Sequence, residues 1–137
     1  MGAWGAGIYD NDDAADWVAE LTADGTAAIK RTLEGALGTP YLEAPDGACA
    51  LAAADVVARL VSSGAGEAST YCEDVVTWVA ANPGAASAEL LDRSLAVVVR
   101  VQSEGSELHE LWWEDEESLG LWRASLADIE LRLRAGR

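Results

Sequence analysis

Positive charge is scarce in this chain. Nine Lys and Arg stand against 24 Asp and Glu in 137 residues, a formal charge of −15, and no basic side chain precedes Lys30. A surface of that sign repels phosphate backbones and anionic lipid headgroups, so neither nucleic acid nor a membrane is expected as a partner. No run approaches the roughly 18 uncharged apolar residues that a membrane helix needs. The opening residues lack the basic stretch and apolar run of a secretory signal, and Ala6 stands where an N-acylation motif after Gly2 needs Ser or Thr. These absences predict a soluble, cytoplasmic protein.

Histidine occurs once, at His109, and cysteine twice, at Cys49 and Cys72. Without a Cys-x-x-Cys pair or a second histidine, a zinc-type site has too few ligands. No metal and no cofactor is therefore expected. Cys49 and Cys72 lie in apolar stretches and are expected as buried free thiols. His109 has no fixed partner for a Ser-His-Asp or Cys-His arrangement and reads as a surface or rim histidine. No catalytic residue is assigned.

Half of the residues are apolar, enough for one continuous core, and the length fits a single domain over residues 1–137. Gly2, Gly5 and Gly7 keep the first nine residues out of a helix. Asp10-Asn11-Asp12-Asp13 then supplies N-cap side chains and first-turn negative charge. Ala14, Trp17, Val18 and Leu21 follow at helical spacing. A second helix is expected from about Asp24 to Leu37, closed by Gly38, and a third from about Pro45 to Ser62. The third is rich in alanine, and small side chains admit close neighbours, which predicts a central position.

Thr70-Tyr71-Cys72-Glu73 has the form of a capping box and opens a fourth helix, with Cys72, Val75, Val76 and Val79 inward and Asn82-Pro83-Gly84 as its end. The fifth runs from about Ser87 to Gln102. Its Val97-Val98-Val99 run has strand propensity, but helical spacing on either side and the lack of a second strand favour helix. A short acidic helix from Glu107 to Trp113 and a terminal helix capped by Ser118 complete the chain. The expected fold is all-α: an irregular bundle of six or seven helices behind a Gly-rich, non-helical N-terminal strap.

Several patterns resemble sites and fall short of them. Gly2, Gly5 and Gly7 lack the phosphate-cradling spacing, and no strand precedes them. The Asp10–Asp13 cluster fails as an EF-hand because Ala14 takes the third ligand position, which leaves helix capping. Glu107/Glu110 and Glu114–Glu117 place carboxylates three apart, as all-α nucleotide pyrophosphohydrolases do to hold Mg²⁺. The later Glu-x-x-Asp pair they require is missing, so a solvated acidic face is the reading. Asp55 is out of place in an apolar helix, either as the partner of Arg59 at i+4 or as part of a polar site. Trp17, Trp78 and Trp122 have apolar helical neighbours and read as core. Adjacent Trp112 and Trp113 point to different sides of a helix, so one ring is either exposed as an anchor for a partner or covered by a loop.

Met1-Gly2-Ala3-Trp4-Gly5, Gly7, Tyr9 and Asp10-Asn11-Asp12-Asp13-Ala14 together resemble a bacterial family, domain of unknown function 4259. Tyr41-Leu42-Glu43-Ala44-Pro45 and Glu110-Leu111-Trp112 resemble the same family. The resemblance spans nearly the whole chain and implies a small bacterial protein. It implies no activity, cofactor or catalytic residue. The functional expectation is therefore a non-enzymatic interaction domain that docks a basic protein partner, immunity- or antitoxin-like by analogy. Asp12, Asp13, Asp16, Glu20, Trp112 and Trp113 are the candidate partner-binding residues. The rival readings are a Mg²⁺-dependent nucleotide or phosphate hydrolase and a helical oligomerisation or scaffold module.

Overall fold

In a computed structural model the described residues are 12–61, 73–113 and 116–136. They form seven helices: α1 (Asp12–Asp24), α2 (Thr26–Gly38), α3 (Ala44–Val61), α4 (Glu73–Ala81), α5 (Ala88–Val101), α6 (Glu107–Trp113) and α7 (Glu116–Ala135). The expected all-α bundle is what forms. Among the described residues β pairing is confined to one parallel bridge, Leu42 to Ser106. The expected N-terminal strap and the Thr70–Glu73 capping box fall on residues outside those described, apart from Glu73 itself.

The alanine content of α3 decides the architecture. Every side chain from Ala50 to Arg59 is buried, right round the helix. A helix apolar on all sides must be surrounded, and α3 packs against α1, α2, α4, α5, α6 and α7. Ala50, Ala52, Ala53, Ala54 and Ala58 let those neighbours come close, while Leu51, Val56 and Val57 fill the remaining space. Around this axis each outer helix contributes one stripe: Ala14, Trp17, Val18 and Leu21 from α1, Ile29 and Leu33 from α2, Val97, Val98 and Val101 from α5, and Trp122, Leu126, Ile129 and Leu133 from α7.

The turns follow local chemistry. Ser87 caps α5, its hydroxyl accepting a hydrogen bond from the Leu90 amide at 3.2 Å. Gly38 is the last residue of α2 but does not cap it in a left-handed conformation. It belongs to the helix, and Thr39 leaves in extended conformation. The positive φ lies at Gly25, where φ of 63° breaks the chain between α1 and α2, a conformation that only glycine adopts without strain. Val76 is exposed, because α4 is short and turns only Val75 fully into the core. Trp78 is half-buried against that core, whereas Trp17 and Trp122 are fully within it.

Candidate functional site

The polar oddity of α3 is the centre of a buried ion cluster. Asp55, wholly inaccessible, accepts a hydrogen bond from Arg59 Nε on Oδ2 and from Arg132 Nη2 on Oδ1, each at 2.7 Å. The i+4 pairing of Asp55 with Arg59 is legible in the sequence. Arg132 arrives from α7, 77 residues away. Its Nε also donates to Asp128 at 3.1 Å, while its Nη1 is buried without a hydrogen-bond partner. The sequence assigns Arg132 only to the end of a helix, where its charge suits the dipole. In the structure it ties α7 to the central helix instead. Asp55 is wholly buried with a guanidinium group on each oxygen and is out of reach of a substrate, so this cluster is a clamp within the fold.

The acids of α1 sit differently. Ala14, Trp17, Val18 and Leu21 occupy the inner stripe, which turns Asp12, Asp13, Asp16 and Glu20 outward, and all four are exposed. Glu20 is held by Arg31 of α2 at 3.2 Å, and the same guanidinium binds Asp24 at 3.1 Å. Among the described residues no ion pair forms at Asp12, Asp13 or Asp16. The exposed negative charge therefore concentrates toward the start of α1.

Beside that face lies an open cleft of about 300 Å³ between α1, α2 and α3, lined by Trp17, Glu20, Arg31, Asp46 and Cys49 among others. Cys49 is half-buried in its wall, its thiol 3.5 Å from the Asp13 carbonyl. Burial pushes the Cys49 thiol up to about 12, and the negative charges of Asp13, Glu20, Asp46 and Asp16 add to the rise. Four carboxylates from two helices thus act on one point. A thiol held protonated in this way is a poor nucleophile.

The carboxylates of α6 are engaged by the fold. Glu107 Oε1 accepts the Ala44 amide at 2.7 Å, capping α3 from outside its own segment, and Glu110 Oε2 accepts the Tyr41 hydroxyl at 2.7 Å. That hydrogen bond raises the Tyr41 phenol to about 12. Backbone hydrogen bonds of Leu42 with Gly105 and Glu107 complete the seam. Gly105, with φ of 85°, holds a carbonyl that also accepts from Arg100 Nη2 at 3.1 Å. The solvated acidic face expected over Glu107–Glu117 is therefore partly a structural seam. Trp112 and Trp113 lie at the end of α6, and their rings fall outside the described side chains. Helices α1 and α6 do not pack on one another; both flank α3. Among the described residues no three His, Cys, Asp or Glu side chains converge as for a metal ion, and no helix is long and apolar enough to cross a membrane.

An alanine-cored helical bundle, pinned by a buried Asp–Arg cluster and acidic along one flank, is the class of protein these features define. The chain belongs to the family described as domain of unknown function (DUF4259), whose model matches residues 2–125. No curated protein and no solved structure matches it.

Proposed function

We propose that this domain is a non-enzymatic docking module, working in the bacterial cytoplasm, that binds a basic protein partner on the acidic flank of α1. The observation that carries this reading is the set of exposed acids Asp12, Asp13 and Asp16 on α1, which no described cation pairs, beside a cleft lined by Glu20, Arg31 and Asp46. A cleft of about 300 Å³ suits one long cationic side chain, with its charge beside Glu20 and Asp46. Asp12, Asp13 and Asp16 steer approach, since exposed charge of one sign speeds association with the opposite sign. The hydrolase alternative loses ground because Glu107 and Glu110 are engaged by Ala44 and Tyr41.

Affinity capture from the native cell, run in parallel with wild type and an Asp12→Lys, Asp13→Lys, Asp16→Lys variant, tests the reading. A basic protein retained by the wild type and lost by the variant is the expected result. The purified pair should associate more slowly between low and physiological salt, as the Debye length shrinks to about 8 Å. Equal capture by both forms, or a salt-independent association rate, refutes it.

A further inference from the structure

We infer that Arg31 regulates the acidic cleft from within: given the docking role proposed above, it holds a carboxylate that a partner's cation would use, and binding exchanges one positive side chain for another. Glu20 and Asp24 stand four apart, on one face of α1. Gly25 then breaks the chain with its φ of 63°, and α2 packs on α1, which sets Arg31 against that pair. One nitrogen, Nη2, meets Glu20 at 3.2 Å and Asp24 at 3.1 Å. Glu20 and Arg31 both line the cleft of about 300 Å³, and Asp46, from the first turn of α3, is its second carboxylate. Two carboxylates and one guanidinium are thus in its wall, and Arg31 cancels half of the negative charge there.

The contact is built to be displaced. The side chains of Arg31, Glu20 and Asp24 are 53%, 54% and 50% exposed, so water screens both pairs and either can open at little cost. Arg59 and Arg132, buried on Asp55, have no such freedom. Arg31 also divides one nitrogen between two carboxylates, where a bidentate pair would set two parallel bonds on one. Asp24 lies outside the cleft wall, so Arg31 can release Glu20 and stay paired with Asp24. A partner's cation entering beside Asp46 therefore gains Glu20 only as Arg31 gives it up. Until then it meets the like charge of Arg31, and its affinity falls below what Glu20 and Asp46 alone would give.

A blocked tetra-arginine peptide is the probe, titrated at low salt, where exposed charges are least screened. The amide signals of Thr32 and Gly35 in the cleft wall report occupancy by heteronuclear NMR, as does the Trp17 indole N–H, which donates to Thr32 Oγ1 at 2.8 Å. Arg31→Gln should tighten binding at these signals by about two- to fivefold, the weight of an exposed ion pair. Arg31→Lys keeps the charge and should bind as wild type does. Arg134→Gln removes the same charge from α7, which packs on neither α1 nor α2, and should change the affinity less. Glu20→Gln should weaken binding more in the Arg31→Gln background than in wild type, because only there is Glu20 released to the peptide. Equal affinity with and without Arg31, a gain no larger than that of Arg134→Gln, or equal Glu20→Gln losses in the two backgrounds would overturn the competitor role and leave the docking reading standing. Cleft signals that respond to the peptide in no form of the protein would overturn both.

Discussion

Replacing Asp55 with Asn keeps the side chain's volume and removes its charge, which isolates the electrostatic role of the buried cluster. Arg59 and Arg132 reach opposite oxygens of Asp55 at 2.7 Å, with their side chains 6% and 7% exposed. A charge-centre separation of about 4 Å at an effective dielectric of about 20 gives roughly 4 kcal/mol of attraction per pair. Losing both pairs leaves two guanidinium groups that repel each other, with Arg132 still beside Asp128. The loss is offset by no longer burying the Asp55 charge. Breaking a buried ion pair by removing one member typically costs about 3–5 kcal/mol, and Asp55→Asn should fall in that range. For a domain of this size the melting temperature should drop by roughly 10–20 °C. Urea unfolding followed by helical circular dichroism measures the free energy directly. Asp55→Leu combined with Arg59→Met and Arg132→Met should recover most of it, because an apolar replacement removes the desolvation cost along with the attraction. A change below about 1 kcal/mol for Asp55→Asn, or a triple variant no better than the single one, would refute the account.

Cys49 should alkylate slowly at pH 8, and the Asp12→Lys, Asp13→Lys, Asp16→Lys variant should speed it, since removing negative charge lowers a thiol pKa; peptide mass spectrometry resolves it from Cys72. The Tyr41 phenol lies above its ordinary value of 10.0, so its bond to Glu110 stabilises the fold below pH 10 and is lost as pH climbs through about 12. Glu110→Gln should bring the Tyr41 transition at 295 nm back toward pH 10, and an unchanged titration would contradict the assigned hydrogen bond. Glu107→Ala should destabilise by about 1 kcal/mol through loss of the α3 cap, with Glu104→Ala near neutral in the same urea assay. A chelator should leave the melting temperature unchanged, and a shift specific to Mg²⁺ would revive the hydrolase reading.

The periodic elements were legible in the sequence because each depends on its own residues. Trp17, Val18 and Leu21 need only a neighbouring surface to be buried, and α3 is central because alanines admit neighbours on every side. The Asp55–Arg59 pair was legible because i+4 spacing on a helix fixes the geometry. The Arg132 contact was not, since the relation between α3 and α7 depends on how the whole bundle closes. For the same reason Glu107 and Glu110 read as solvated carboxylates when their partners, Ala44 and Tyr41, lie 63 and 69 residues away. A helix expected from Asp24 runs through Gly25, and the break there became legible only from its positive φ.

The placement of the few cations explains why the negative charge faces outward. Arg31 is held by Glu20 and Asp24, Arg59 and Arg132 by Asp55, Arg93 by Glu34 and Glu89, and Arg134 by Glu130. Arg100 is held by the carbonyls of Thr39 and Gly105. These six basic side chains are thus bound by the chain's own acceptors, and none of these contacts neutralises Asp12, Asp13 or Asp16. A protein selected only for solubility has no need to gather exposed carboxylates on one helix, because dispersed charge solvates as well and repels less. Concentrating them on α1 carries a like-charge repulsion that a cation from a partner would relieve on binding. The clamp on α7 and the acidic cleft on α1 contact α3 at different positions, so the Asp55 and α1 variants should act independently. Charge reversal on α1 should change association while costing no more than about 2 kcal/mol of stability, through the lost first-turn acids Asp12 and Asp13. A large loss of stability in that variant would mean that these acids serve the fold and not a partner.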